Sequence, residues 1–205
     1  MIALIDYRAG NLTSVKKALA MIGAPVFVPN APEELAQASG VIVPGVGHFG
    51  ATRALEGAWT DAILERVGEG RPLLGICLGM QWLYEGSEEA ADLPGLGLLN
   101  GQCYRLNGTG DERPDQRVKV PHVGWNSLAI RTDASIVEGV EPDAQVYFTH
   151  SYVAPVTGDT VAVTDHAESF AAIVQRGYVA GVQFHPEKSG DVGLRILRNF
   201  LQLVQ

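Results

Sequence analysis

From Ile2 to Tyr84 the chain alternates short, unbroken apolar runs with stretches of helical periodicity, and few folds accept that pattern. Ile2-Ala3-Leu4-Ile5, ending at Asp6, reads as a buried strand. Leu12 to Met21 has the spacing of a helix and stops at Gly23, a residue suited to the left-handed turn that follows one. Val26-Phe27-Val28 is a second strand. Asn30-Ala31-Pro32-Glu33 then reads as a helix start, with Asn30 as cap and Glu33 three residues on. Val41-Ile42-Val43, the third strand, runs into Pro44-Gly45-Val46-Gly47-His48-Phe49-Gly50 and a helix from about Ala51 to Val67. Pro72 to Ile76 forms the fourth strand and Leu78 to Tyr84 the next helix. Strands that are apolar throughout are buried on both faces, so the pattern predicts a parallel sheet with helices on each side.

The pattern changes after Ser87. Pro94, Gly95 and Gly97 interrupt it, and Asn107 to Gln116 reads as a polar loop. Closely spaced β-rich runs follow at Val118-Lys119-Val120, Ser127 to Ile130, Gln145 to Thr149, Val161 to Thr164, Ala171 to Val174 and Tyr178 to Phe184. Their spacing predicts hairpins, not crossovers. A last amphipathic helix, about Asp191 to Val204, places Ile196, Leu197, Phe200, Leu201 and Val204 on one face. At 205 residues, with no linker-like shift in composition, residues 1–205 read as one α/β domain with a mixed, mostly parallel sheet. The net charge of −8 argues against nucleic-acid and anionic-membrane binding, which need clustered positive charge. The longest apolar stretch, Leu73 to Tyr84, is too short to span a bilayer, and Asp6 and Arg8 interrupt the apolar start as no export signal would. Two cysteines fit a reducing compartment, so a cytoplasmic location is expected.

Three constellations carry possible chemistry. Gly75-Ile76-Cys77-Leu78-Gly79 sits at a strand-to-helix junction with the spacing of a nucleophile elbow. Such a turn lifts the side chain off the sheet edge, the helix N-terminus favours a thiolate, and the Leu78 N–H faces the oxyanion formed on attack. Buried cysteine among glycines is the plain alternative, and Cys103, with no elbow around it, reads as core. The second constellation is His185-Pro186-Glu187, after the apolar Val182-Gln183-Phe184. Residues two apart on extended chain share a side, so Glu187 can orient His185 as the base for Cys77. Taken alone, the same tripeptide is a strand-end turn with a solvated glutamate.

The third is Gly45-x-Gly47-x-x-Gly50, which formally matches a dinucleotide fingerprint. That fingerprint needs an acid at the end of the next strand; Asp61 and Glu65 fall inside the expected helix, and the next strand ends at Cys77. Dinucleotide binding is therefore rejected. The loop is read as a source of a second oxyanion donor, with a plain glycine connection as the alternative. His48, His122, His150 and His166 show no metal-ligand spacing and no C-x-x-C exists, so no metal is expected. Val123 to Asn126 and Tyr147 to Tyr152 set aromatics beside polar groups, as core or as interface anchors.

Together these segments resemble the class I, or triad, glutamine amidotransferases. The likeness is carried by Pro44 to Gly47, Gly75 to Gln81 and Gly181 to Ser189, with Asp6 to Leu12, Pro121 to Asn126 and Tyr147 to Tyr152, in order along nearly the whole chain. Arg8 departs from it, standing where the family usually has glycine. The resemblance implies a flavodoxin-like three-layer sandwich and a catalytic triad of Cys77, His185 and Glu187. It implies oxyanion donors at the backbone amides of Val46 and Leu78, glutamine held by Gly47, Gln81, Ser151 and Tyr152, and no cofactor. Within the family the likeness is strongest to the branch that passes ammonia to a (βα)8-barrel cyclase subunit in a heterodimer, giving imidazole glycerol phosphate and aminoimidazole carboxamide ribotide. Ammonia transfer requires the glutaminase site to open onto that partner, so Asn11, Trp125, Asn126, Tyr147 and Lys188 are expected at the contact. Two glycines around Val46 let a peptide plane rotate, which makes that loop the expected switch. A thiol α/β-hydrolase would share the elbow but places its acid before the histidine. A non-catalytic relative would lack Cys77 or His185. A glutaminase serving another synthase is opposed by the Pro121 to Asn126 segment.

Overall fold

The computed structural model describes residues 1–108 and 118–204. Its elements run β1 (Ile2–Leu4), α1 (Leu12–Met21), β2 (Val26–Phe27), β3 (Gly40–Gly45), α2 (Ala58–Gly68), β4 (Leu73–Cys77) and α3 (Leu78–Trp82). There follow β5 (Gly86–Ser87), β6 (Gln102–Arg105), β7 (His122–Ser127), β8 (Ala129–Ile130), β9 (Gln145–His150) and β10 (Tyr152–Val153). The chain closes with β11 (Thr160–His166), β12 (Glu168–Arg176), β13 (Val179–Val182) and α4 (Gly190–Leu203).

The central sheet has the order β2-β1-β3-β4-β13-β12-β11-β8. Its first five strands are parallel; β12, β11 and β8 extend it with antiparallel pairing. Side chains alternate across it, which is why its strands are apolar at every position. Ile2, Leu4, Ile42 and Leu74 pack with α1 and α4 through Val15, Leu19, Ile196 and Phe200. Ala3, Ile5, Val41, Val43 and Leu73 pack on the other face with Leu35, Phe49, Ile63 and Met80. The result is the three-layer α/β arrangement expected.

α1 and Gly23, at φ +71 in the turn after it, fall where the pattern put them. Two helices do not. The segment from Pro32 to Gln37 is a 3₁₀ helix, and its cap position is Ala31 without a side-chain bond; the Asn30 N–H instead donates to Glu34 Oε2 at 3.0 Å, one residue beyond the expected Glu33. The helix expected from Ala51 to Val67 is divided into a 3₁₀ helix, Phe49–Leu55, and α2, because Gly57 turns the chain at φ +70. Residues 118–120 form no strand; Pro121 lacks an N–H, and the Lys119 carbonyl accepts from His166 Nε2 at 2.8 Å instead of from a ladder. Most of the polar loop at 107–116 lies outside the described residues. β7, not foreseen as a strand before Ser127, pairs antiparallel with β9 apart from the main sheet, Trp125 opposite Tyr147. No helix among the described residues is long and apolar enough to cross a membrane.

Candidate active site

β4 delivers Cys77 to the sheet edge, and α3 starts at the next residue. Cys77 has φ +53 and ψ −107, a conformation costing a non-glycine residue about 1–3 kcal/mol that only firm packing sustains. The packing comes from the flanking glycines. A Cβ on Gly79 would overlap the Val43 carbonyl, and one on Gly75 would strike the Gly79 carbonyl and the Met80 amide. No other residue fits either place.

β13 lies parallel beside β4, Val182 against Ile76, so the chain beyond Val182 passes alongside Cys77. Gln183, fully buried, donates from Nε2 to Cys77 Sγ at 3.6 Å. Two residues on, His185 donates from Nδ1 to Glu187 Oε1 at 2.8 Å, and both side chains are 2% exposed. His185 Nε2 and Glu187 Oε2 have no hydrogen-bond partner among the described residues. Burial alone would lower the imidazole pKa, but its interactions with Cys77 and Glu187 outweigh that and push it up to about 9. A His185 held in this way favours the imidazolium beside the sulfur, as a thiol nucleophile requires.

A cleft of about 320 Å³ opens over Cys77. It brings together Val46, Leu78, Gly47, Gln81, Ser151 and Tyr152, every oxyanion and glutamine-holding residue expected, and adds Glu89, Pro121, Thr149 and His150. Gln81 donates both hydrogens of Nε2, to the Tyr152 carbonyl at 2.9 Å and to Gln183 Oε1 at 3.1 Å. That leaves its Oε1, an acceptor, for a ligand. The Val46 N–H donates to the Ala9 carbonyl at 3.0 Å and so points away from the reacting position; Gly47 beyond it has φ +99. Arg8 lies in the loop carrying Ala9 and has φ +64, a left-handed conformation that glycine adopts without strain; Asp6 steadies it by accepting its N–H at 3.0 Å. Glu89 Oε2 accepts from the Phe49 N–H at 2.6 Å, so the amide that a dinucleotide loop would offer a phosphate already holds a carboxylate.

A family model, Glutamine amidotransferase class-I, matches residues 3–203. The chain belongs to the class I glutamine amidotransferase family. Curated relatives agree with that membership. The imidazole glycerol phosphate synthase subunit HisH of Shouchella clausii (strain KSM-K16) is 48% identical over 208 residues, covering 100% of this chain and 99% of that protein. The HisH subunit of Halobacterium salinarum is 46% identical over 209 residues, covering 98% and 92%. A solved glutamine amidotransferase superposes with a TM-score of 0.75 at 23% identity, covering 100% and 99% of the two chains. PurLQS from Thermotoga maritima gives 0.74 at 16% identity, covering 100% and 98%. At those identities the structures speak for the amidotransferase fold alone.

Of the residues expected at a partner contact, Trp125, Tyr147 and Lys188 lie together. Trp125, 57% exposed, packs edge-on against Tyr147 at 6.1 Å, and Lys188 Nζ stands 5.7 Å over the Tyr147 ring. The Tyr147 carbonyl accepts from the His185 N–H at 2.9 Å, which joins this patch to the segment that follows β13. Asn11 is exposed and caps α1 through the Ser14 N–H. Asn126 is more internal than expected: Nδ2 donates to the Asp165 carbonyl at 3.0 Å and toward His122 Nε2 at 3.3 Å. Sequence reading missed Gln183, Glu89, His150 and Ala9 as site residues. Gln183 left a signal, a polar residue in an apolar strand; a backbone role such as that of Ala9 leaves none.

Proposed function

We propose that the chain is the glutaminase subunit of an imidazole glycerol phosphate synthase. In this reading residues 1–205 are one catalytic domain that releases ammonia from glutamine and hands it to a (βα)8-barrel cyclase subunit, as a heterodimer in the cytoplasm. The names of the relatives point to that synthase. The observation that carries the chemistry is Cys77 on its strained elbow, with the Glu187-bound imidazole of His185 behind it.

Cys77 Sγ attacks the side-chain carbonyl of glutamine while the thiol proton rests on His185. His185 gives that proton to the leaving nitrogen, the C–N bond breaks, and ammonia departs from a glutamyl thioester. Water, deprotonated by His185, then attacks the thioester; glutamate leaves and the proton returns to the sulfur. Glu187 keeps Nδ1 protonated, so Nε2 is the nitrogen that exchanges protons. Gln183 supplies a hydrogen bond to the sulfur. Gly47, Ser151, Tyr152 and the acceptor oxygen of Gln81 hold the amino-acid end of the substrate. The Leu78 amide serves the oxyanion at once, whereas that of Val46 serves it only after leaving Ala9. No step calls for a cofactor.

Ammonia travels to the cyclase through the side carrying Trp125, Asn126, Tyr147, Lys188 and Asn11. The test is ammonia and glutamate release from glutamine, with and without the cyclase, followed by cyclase product formed from glutamine. Equimolar glutamate and cyclase product are expected; product formed from free ammonia but never from glutamine would overturn the reading.

A further inference from the structure

Strands β7, β9 and β11 bring three histidines into one cluster that the triad does not use. His122 stacks on Phe148 at 4.6 Å and on His166 at 3.9 Å between ring centres. Its Nδ1 lies 3.1 Å from His150 Nε2, and its Nε2 lies 3.3 Å from Asn126 Nδ2. His150 Nδ1 is 3.1 Å from the Tyr152 carbonyl, and His150 itself lines the cleft over Cys77.

One assignment of protons satisfies all of these contacts. A carbonyl only accepts, so His150 carries its hydrogen on Nδ1. Burial, then the neighbouring His122, pushes His150 down to about 3, and burial with His166 pushes His122 down to about 4, so both rings are neutral near pH 7. His150 Nε2 is therefore an acceptor, His122 Nδ1 its donor, and His122 Nε2 an acceptor in turn. Asn126 fits at the outer end, for its Oδ1 takes the Ser127 N–H at 2.8 Å and leaves Nδ2 to donate. Both nitrogens of His122 and of His150 are thus committed to protein partners, with none left on these two rings for a metal or for proton transfer to substrate.

The inner end of this series is the Tyr152 carbonyl, which also accepts from Gln81 Nε2 at 2.9 Å. Gln81 donates to Gln183, and Gln183 to Cys77. Hydrogen bonds therefore run without a gap from Asn126, next to the exposed Trp125, to the nucleophile. We propose that His122 and His150 are positioning residues, holding the Tyr152 carbonyl and with it Gln81 in the orientation that receives glutamine, and tying that orientation to the exposed strand β7. This rests on the glutaminase reading above and adds what keeps its substrate wall in shape.

A role confined to packing depends on ring shape, whereas a positioning role depends on the N–H of His122. His122→Asn keeps an amide N–H at the δ position, and His122→Leu has nearly the same size without it. In the complex with cyclase and its nucleotide substrate, His122→Leu should raise the glutamine KM about tenfold with kcat held within about threefold, the effect of losing one hydrogen bond to the substrate wall. His122→Asn should return KM to within about threefold of the unaltered chain. Equal KM in all three, or equal loss in both variants, overturns the proposal. Nitrogen-15 spectra of the unaltered protein need no variant to fold: both rings should stay neutral and protonated on Nδ1 from about pH 6 to 8. An Nε2–H form or a titration in that range also overturns it. A complex of the unaltered chain that releases no glutamate removes the glutaminase reading and this proposal together, whereas release with an unchanged KM in His122→Leu removes this proposal alone.

Discussion

The turns at the ends of β3 and β4 are both built on glycines, and they differ in the room around them. At the elbow, a Cβ on Gly75 would strike the Gly79 carbonyl and the Met80 amide, and one on Gly79 the Val43 carbonyl. At the neighbouring turn, Gly47 has nothing within 4 Å of where a side chain would begin, and Val46 is 36% exposed. The first turn holds Cys77 in a conformation it would not otherwise keep. The second is tight at Gly45, where a Cβ would overlap the Tyr7 hydroxyl, and open from Val46 to Gly47, with the Val46 N–H held by the Ala9 carbonyl. A nucleophile has to be fixed before substrate arrives; an oxyanion donor can be withheld until a partner is ready. In the proposed mechanism, the close packing around Cys77 and the open space at Gly47 divide those two tasks between adjacent strands.

The largest effect that would test this division is at the fixed turn. Cys77→Ala should lower glutamine hydrolysis by about 10⁴-fold or more while the fold and cyclase binding persist, and near-normal ammonia release would remove the thioester mechanism. Glu187→Gln should be milder, since orientation and imidazolium stabilisation are lost but the nucleophile remains. Next comes the open turn. Glutamate production by the chain alone, with cyclase, and with cyclase plus its nucleotide substrate should rise stepwise by about 10²- to 10³-fold in total, carried by kcat, as one oxyanion donor is gained. Equal rates in all three states would mean that the Val46 amide is not the switch.

Stability measurements sharpen the contrast without any assay. Gly79→Ala should cost about 3 kcal/mol or more in chemical denaturation, since its Cβ meets a carbonyl that cannot move away. Gly47→Ala should cost about 1–2 kcal/mol, the strain of φ +99 in open space. Similar losses at both would contradict the packing difference. At the side proposed to face the cyclase, Trp125→Ala or Lys188→Ala should weaken the complex about tenfold, measured by titration calorimetry, and unchanged assembly in both would move the interface elsewhere. The smallest signal is in pH. His185 is raised from its usual 6.5 to about 9 in the fold, so its contribution to stability is complete below about pH 6.5 and fades as pH rises through about 9. The melting temperatures of the unaltered chain and His185→Ala should therefore converge between neutral pH and about pH 10.

The sequence by itself determined the layered sheet, since apolar runs alternating with helical periods have no other way to bury both faces of each strand. It also determined the elbow and the His-Pro-Glu turn, because their parts are neighbours in the chain and obey local geometry. Gly57 breaking a helix, Ala9 holding Val46, Gln183 reaching the sulfur and His122 meeting His150 were decided only by the tertiary structure. Each depends on a partner brought close by sheet register or by a loop crossing from another strand: Val182 against Ile76, His122 against His150. A side chain's partner is written in the sequence when it lies two or four residues away; when it lies on another strand, the fold has to form before the partner exists.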